Sequence, residues 1–217
     1  MKLCILGVGD ERLVGRWYRG DLRGTVRLEE RSALDVIVHR TIERVSGVAD
    51  VTLVAPRVGP APPQQTFDNL TRHLPLLVAA AETFGSDIIA VVVDNEDDRQ
   101  RRSVLARDST LAGRSNVALG VAEQTIEAWL LDYGAMNGAL NLQPPLSGAL
   151  PRADRLPCDG HESARSRFRQ ILQDAGHVEH MWREAAIRIA EELDLAQLGS
   201  RCPSYHQLEG DIRRVVC

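Results

Sequence analysis

The residues with the clearest chemical potential belong to a cluster of four carboxylates that follows the apolar residues 87–93 (DIIAVVV): Asp94, Glu96, Asp97 and Asp98. Three of them, Asp94, Glu96 and Asp98, stand at alternate positions. Carboxylates this close together repel one another unless a positive charge joins them. A divalent cation could do so, because Mg²⁺ typically binds one or two protein carboxylates together with waters and phosphate oxygens. We therefore expect these three residues to hold Mg²⁺ or Mn²⁺; the alternative is a solvated loop whose acids cap the next helix.

Two other acidic pairs occur at comparable places in the sequence. Glu123 and Glu127 follow a later apolar segment and lie four residues apart, so on a helix they would share one face. Like charges at that spacing destabilise a helix by roughly 0.2–0.5 kcal/mol, so an arginine or a metal ion is needed as a counter-charge. Asp10 and Glu11 follow the first apolar segment. If these segments are strands of a parallel sheet, all three acidic groups meet at one edge.

Arginines stand next to two of the acidic groups. Arg12 and Arg16 follow the first group, and Arg99 and Arg102 follow the second. An ion-paired surface is the ordinary explanation for such arginines. Beside a metal site, however, they would form a groove for a phosphodiester backbone. We therefore expect these four arginines to bind nucleic acid, either DNA or RNA.

The elements that would position these side chains alternate between strand and helix. Strand patterns cover residues 2–6, 50–55, 87–93 and 116–121, and helical patterns cover residues 34–45, 67–84, 98–111 and 123–133. Such alternation implies right-handed crossovers and a mainly parallel sheet. In sheets of this kind ligands bind beyond the carboxyl ends of the strands. The sequence therefore predicts an α/β fold with a Rossmann-like, mainly parallel sheet flanked by helices.

The last third of the chain has a different character. Residues 143–160 are rich in Pro, Gly and Leu without a steady period, which is typical of a linker or a covering loop. Apolar residues then recur at a helical period over residues 164–175 and 182–193. This period favours Trp182 as a core residue; an exposed anchor for a partner is the alternative. We predict an α/β domain at residues 1–141 and a helical C-terminal extension, residues 142–217, packed on it.

Composition and missing motifs exclude several classes of protein. The net charge of -4 excludes a generally basic nucleic-acid coat, and no apolar stretch approaches the roughly 18 residues needed to span a bilayer. The first apolar run is too short for a signal peptide, and the four scattered cysteines are typical of reduced thiols, so we expect a cytoplasmic protein with no membrane partner. Gly7-Val8-Gly9 lacks the rest of a dinucleotide-binding fingerprint, and the sequence has no P-loop.

Two segments resemble a bacterial family of uncharacterised Toprim-like proteins. Residues 123–132 read EQTIEAWLLD, and residues 201–205 read RCPSY. In that family an E-x-W-L-L-x-D helix follows the last core strand, and an R-C-P-x-F-like segment closes the chain. The family is related in fold to the Toprim domains of OLD-family nucleases. The resemblance implies a Toprim-like fold, with Glu11 as the first-strand acid, Asp94 and Glu96 as the D-x-D pair, and Glu127 as the family glutamate.

The activity that the resemblance implies is Mg²⁺-dependent hydrolysis of nucleic-acid phosphodiester bonds, with a role in anti-phage defence. The catalytic residues would be Glu11, Asp94, Glu96 and Glu127. Glu11, Asp94 and Glu96 would hold the metal, and Glu127 or Glu123 would be a further ligand or general base. The alternative is a degenerate Toprim-like protein that binds nucleic acid or a partner ATPase without catalysis. The displaced first acid, the negative net charge and the missing P-loop favour this alternative. A second copy of the chain is a further partner that we consider.

Overall fold

Parallel strands form the centre of the protein, of which the computed structural model describes residues 1–17, 24–55, 65–96, 98, 100–148 and 163–217. The strands are β1 (Lys2–Val8), β2 (Thr52–Val54), β3 (Ile88–Asp94) and β4 (Val117–Ala122). They form one sheet in the order β2-β1-β3-β4, and each neighbouring pair is parallel. From β1 the chain adds β2 on one side and then β3 and β4 on the other, so the strand order switches direction between β1 and β3. Because the strands are parallel, their carboxyl ends lie at one edge of the sheet.

The helices that the apolar period predicts over residues 34–45 and 67–84 are present, and capping residues define their ends. Ser32 caps the first helix by accepting from the backbone of Asp35, and Gly47, with φ of 70°, ends it. Thr66 caps the second helix. In the described residues the α-helices are α1 (Ala33–Ser46), α2 (Phe67–Thr83), α3 (Arg101–Arg107), α4 (Glu127–Leu130), α5 (Tyr133–Leu140), α6 (Ala164–Asp174), α7 (Trp182–Glu192), α8 (Leu195–Arg201) and α9 (Pro203–Val216), with short 3₁₀ turns at Leu28–Glu30 and Glu179–Met181.

The sheet is the middle layer of three. Every residue of β3 is buried, because both of its faces are covered. Successive side chains of a strand point to opposite faces, so Ala90 and Val92 pack with α1 and the C-terminal helices, whereas Val91 and Val93 pack with α2 and α3. The predicted α/β class, with a parallel sheet flanked by helices and further helices at the C-terminus, is confirmed.

The C-terminal helices share a core with the sheet. Helix α9 lies along β4 and contacts α1, while α7 packs between α1 and α5. Gly120 leaves room for this packing, since a Cβ at that position would lie 3.2 Å from a methyl group of Leu208. The division of the chain at residue 141 stays a prediction. In the described part of the chain, the helices are too short or too polar to cross a bilayer.

The prediction of one helix over residues 123–133 is wrong. Gln124 has φ of 66°, in the left-handed region, so the chain turns after β4 before α4 begins at Glu127. A second interruption follows at Asp132, which is extended and caps α5 by accepting from the Ala135 N–H at 3.0 Å. Glu123 therefore precedes the helix and does not share a helix face with Glu127.

Side chains and a short chain segment cover both edges of the sheet. At the β4 edge, Leu119 donates its N–H to Asp211 (3.1 Å) and accepts from Arg102 at its carbonyl (3.2 Å). Arg214 donates to the Val117 carbonyl (3.0 Å). At the β2 edge, residues 24–26 pair with the strand through the bonds Val26 N–H to Leu53 O and Ala55 N–H to Gly24 O.

Candidate functional site

Four carboxylates from three segments meet at the carboxyl edge of the sheet. Asp94 ends β3, Glu96 follows it by two residues, Asp10 follows β1, and Glu127 begins α4 beyond β4. Asp94 is 0% exposed and Glu127 is 1% exposed. Parallel pairing brings them together, because the register of β1 with β3 and of β3 with β4 runs to the last residues of the strands. The predicted convergence of acids is therefore present, with Asp10 rather than Glu11 as the first-strand member.

The Asp94 carboxylate is fixed by contacts on both oxygens. Oδ1 accepts from the backbone N–H of Ile126 at 2.8 Å, and Oδ2 accepts from the Arg165 guanidinium at 3.1 Å. Gly9 allows β1 to pass beside this group, since a Cβ at Gly9 would lie 3.0 Å from Oδ2. A Cβ at Gly7 would overlap Val14. Gly9 is therefore explained by close packing at the site, and Gly7 by close packing in the core beside it.

Arg165, in the first turn of α6, is the common partner of three carboxylates. Its Nε donates to Glu127 Oε1 at 3.0 Å and its Nη2 donates to Asp94, while Glu96 Oε1 lies 3.7 Å away. Glu127 Oε2 is buried and has no hydrogen-bond partner among the described residues. Glu96 is also held by Arg101, which donates to its Oε2 at 3.2 Å and to the Asp94 carbonyl at 2.6 Å.

Asp10 is held by a second group of cations. Its carboxylate accepts from the backbone and Nε of Arg12, each at 2.9 Å, and from Arg169 at 2.9 Å. Both arginines also lie over the ring of Trp182, at 5.0 and 5.8 Å from its centroid, and Arg12 pairs with Glu179. Burial alone would raise the pKa of Asp10, but the hydrogen bonds from Arg12 and Arg169 outweigh it and lower that pKa.

Asp94 has the opposite electrostatic balance. Burial raises the pKa of its carboxyl well above the usual value, and the Glu127 carboxylate raises it further. The Ile126 N–H and Arg165 offset only part of this rise. Burial lowers the pKa of the Arg165 guanidinium, but Glu127 and Asp94 raise it by more. The contacts from Ile126 and Arg165 therefore do not offset the cost of burying the charged form of Asp94.

A polar cavity of about 320 Å³ opens above these carboxylates. Arg165 both lines the cavity and donates to Asp94 and Glu127, so its guanidinium separates these two buried groups from the cavity. The opposite wall is the N-terminal turn of α2 with the preceding Gln65. The remaining lining residues are Val8, Gly9, Asp10, Glu96, Arg101 and Arg169. The cavity combines cationic side chains with acids at a strand switch, where doubly wound sheets bind ligands.

Three acids that the sequence indicated lie outside this cluster. Glu11 has a 76% exposed side chain, and the Arg16 guanidinium lies 3.9 Å from its carboxylate. Asp98 is exposed and accepts from the Gln100 N–H at 2.9 Å in the turn before α3, and its side chain does not cap that helix. Glu123 is half-buried in the turn before α4. The cluster therefore contains Asp94, Glu96 and Glu127 of the predicted site residues, together with Asp10 in place of its neighbour Glu11.

The predicted nucleic-acid-binding arginines are dispersed. Arg12 is engaged by Asp10, Arg16 is a 76% exposed surface residue, and Arg102 lies at the β4 edge. Arg99 lies outside the described residues. The arginines that line the cavity are instead Arg101, Arg165 and Arg169. The sequence carried one signal for the last two: they lie four residues apart beside the apolar stripe of a predicted helix, and so share one face.

The carboxylate oxygens of the cluster are of the type that binds Mg²⁺, but Arg165 already contacts them. Carboxylate oxygens are the ligands that Mg²⁺ and Mn²⁺ prefer, and the unpaired buried Oε2 of Glu127 can accept a further positive partner. Across the described ranges, however, no three His, Cys, Asp or Glu side chains are arranged to hold a metal ion. Arg165 contacts the same oxygens that a cation would use. The residues therefore fit a cation only if Arg165 moves away.

Comparison with known proteins gives no match: no family model, no curated protein and no solved structure is significantly similar to this chain. Membership of the Toprim-like family therefore stays a prediction based on the residues quoted above.

Proposed function

We propose that this protein is a Mg²⁺- or Mn²⁺-dependent enzyme that hydrolyses phosphodiester bonds in nucleic acid. The observation that carries the proposal is the buried pair Asp94 and Glu127. These residues come from separate segments, and they meet at the strand switch beneath a polar cavity. Pairing two carboxylates in a dry environment is costly unless a strong positive partner joins them. Sites of this kind are characteristic of function rather than of stability.

Each residue of the cluster has a role in this proposal. Asp94, Glu127 and the more exposed Glu96 would hold the cation, which when bound polarises a phosphoryl group and activates water. Arg101 and Arg169 line the cavity and would orient the anionic backbone through charge-assisted hydrogen bonds. Asp10 would keep Arg169 in place through the 2.9 Å ion pair.

Cleavage of labelled single-stranded DNA, single-stranded RNA and plasmid tests the proposal, with Mg²⁺, Mn²⁺ or EDTA present. We expect Asp94→Asn to reduce the rate by roughly 100-fold or more, since even residues that only support metal ligands are typically worth 10- to 100-fold. The variant Glu43→Gln is the matched control, because Glu43 lies in α1 and pairs with His39. The proposal fails if the wild-type protein cuts no substrate faster than Asp94→Asn does.

A catalytically inactive binding protein is the second candidate, and the position of Arg165 favours it. This guanidinium occupies the place between Asp94 and Glu127 that a catalytic cation would need. Such a protein would bind nucleic acid or a partner ATPase through the arginine-lined cavity. Calorimetric titration with Mg²⁺ separates the two candidates, because an inactive binding protein gives no saturable heat but still binds an oligonucleotide.

A further inference from the structure

We propose that Arg165 and a divalent cation exclude one another at the same carboxylates, so that the cation enters only when Arg165 leaves. The inference rests on the proposed function, because it takes Asp94 and Glu127 as the cation's ligands. It adds to that function an internal inhibitory contact made by α6.

Arg165 and a cation would exclude one another because both would use the same carboxylate oxygens. Asp94 Oδ1 is occupied by the Ile126 N–H, so Oδ2 is the oxygen that can serve a ligand, and Arg165 uses it at 3.1 Å. Arg165 also uses Glu127 Oε1 at 3.0 Å. A cation bound to these oxygens would lie within a few ångströms of the guanidinium. Two positive charges at that separation repel one another, and the burial of Asp94 and Glu127 strengthens this repulsion.

The resident contact is incomplete, which makes it replaceable. Glu127 Oε2 is buried and lacks a donor among the residues described, so Arg165 satisfies only one oxygen of this carboxylate. A buried acceptor without a partner is costly, and a divalent cation can take more oxygen ligands than the guanidinium reaches here. A cation that replaces the arginine can therefore bind Glu127 Oε2, which Arg165 leaves without a partner.

Arg165 has room to leave without unfolding its helix. Its side chain is 31% exposed and lines the cavity, so a change of rotamer carries the guanidinium into that space. Arg169, one turn later in α6, keeps its pair with Asp10 and its position over Trp182. This second anchor holds α6 on the sheet edge while Arg165 moves.

Electron paramagnetic resonance of free Mn²⁺ measures the exchange directly and does not depend on activity. The comparison uses the wild-type protein, Arg165→Met and the control Arg40→Met. The guanidinium of Arg40 donates to the Ala190 carbonyl at 2.6 Å, away from the acidic cluster. We expect the Kd for Mn²⁺ to fall by at least about tenfold in Arg165→Met, because a competing positive charge has been removed. The Kd of Arg40→Met should equal that of the wild-type protein.

A second measurement uses the wild-type protein alone and remains valid if Arg165→Met does not fold. Phenylglyoxal modifies arginine side chains, and peptide mass spectrometry reports the rate at Arg165. We expect saturating Mg²⁺ to increase this rate, since the cation releases the guanidinium.

The outcomes separate this inference from the proposed function. If Mn²⁺ binds the wild-type protein and Arg165→Met equally, or binds the variant more weakly, the exchange is refuted and the cation site remains. An unchanged modification rate under saturating Mg²⁺ refutes the exchange in the same way. If Mn²⁺ binds neither protein saturably, both the exchange and the proposed metal-dependent activity are refuted.

Discussion

Replacement of Arg165 by methionine measures how much its charge offsets the burial of Asp94 and Glu127. The change keeps most of the aliphatic volume but removes the donors to Asp94 and Glu127, which are 0% and 1% exposed. Breaking a buried ion pair in this way typically costs 3–5 kcal/mol. The Arg165 side chain is 31% exposed, so water can replace part of its effect. We therefore expect a loss of about 3 kcal/mol in the free energy of unfolding at about pH 8.

The pH dependence of this loss follows from the sign of the Asp94 shift. Burial first, and then Glu127, raise the folded-state pKa of Asp94, and removal of Arg165 raises it further. Between the unfolded pKa of about 3.9 and the raised value, the folded state binds more protons than the unfolded state. Stability therefore falls as pH rises through this window, and the window extends to higher pH in the variant. The difference between the two proteins should shrink towards about pH 5.

Urea unfolding followed by circular dichroism measures both quantities, in EDTA so that no divalent cation contributes. Arg40→Met is the matched control. It removes one hydrogen bond to the Ala190 carbonyl and should cost about 1 kcal/mol at either pH. A free energy of unfolding for Arg165→Met within about 1 kcal/mol of the wild-type value at about pH 8 would show that Arg165 does not compensate the buried acids. A loss in the free energy of unfolding that does not change with pH would show the same.

Two further predictions concern the segment after β1. Gly7→Ala should lower the free energy of unfolding by about 1–3 kcal/mol, because the new Cβ overlaps Val14 in the core. Chemical unfolding measures this change, and the double variant with Val14→Ala should recover part of the loss. Asp10→Asn should lower the free energy of unfolding by about 1–3 kcal/mol at neutral pH, because it removes the charge that Arg12 and Arg169 share. Glu11→Gln should change the free energy of unfolding by no more than about 0.5 kcal/mol. Since the pKa of Asp10 is lowered, its contribution is present above the unfolded value of about 3.9 and is lost as pH falls through the folded pKa. Equal losses for the two variants would show that Asp10 has no special place in the site.

The sequence was sufficient to predict the sheet edge at which the site lies. The run DIIAVVV is apolar on both faces, so a buried central strand ending at Asp94 followed from composition alone. Alternation of strands and helices then implied parallel pairing, which brings residues after β1, β3 and β4 to one edge. These inferences depend on local pattern, and local pattern is what a single sequence carries.

The details of the site depend on turns and on distant packing, which the pattern does not show. Asp10 and Glu11 are adjacent and chemically alike. Asp10 faces the cluster because its carbonyl accepts from the Leu13 and Val14 N–H groups in a turn. Arg165 lies 71 residues from Asp94 along the chain, and α6 brings it to the site by packing against α4.

The covered edges of the sheet restrict how this protein can associate. An exposed strand edge is the usual template for strand addition by a peptide or a second copy. Here the outward backbone groups of Leu119 and the Val117 carbonyl are already bonded to side chains, and residues 24–26 lie along β2. A protein partner that respects these bonds must dock on helices or loops. Recognition of such a partner would then depend on side-chain chemistry rather than on backbone pairing.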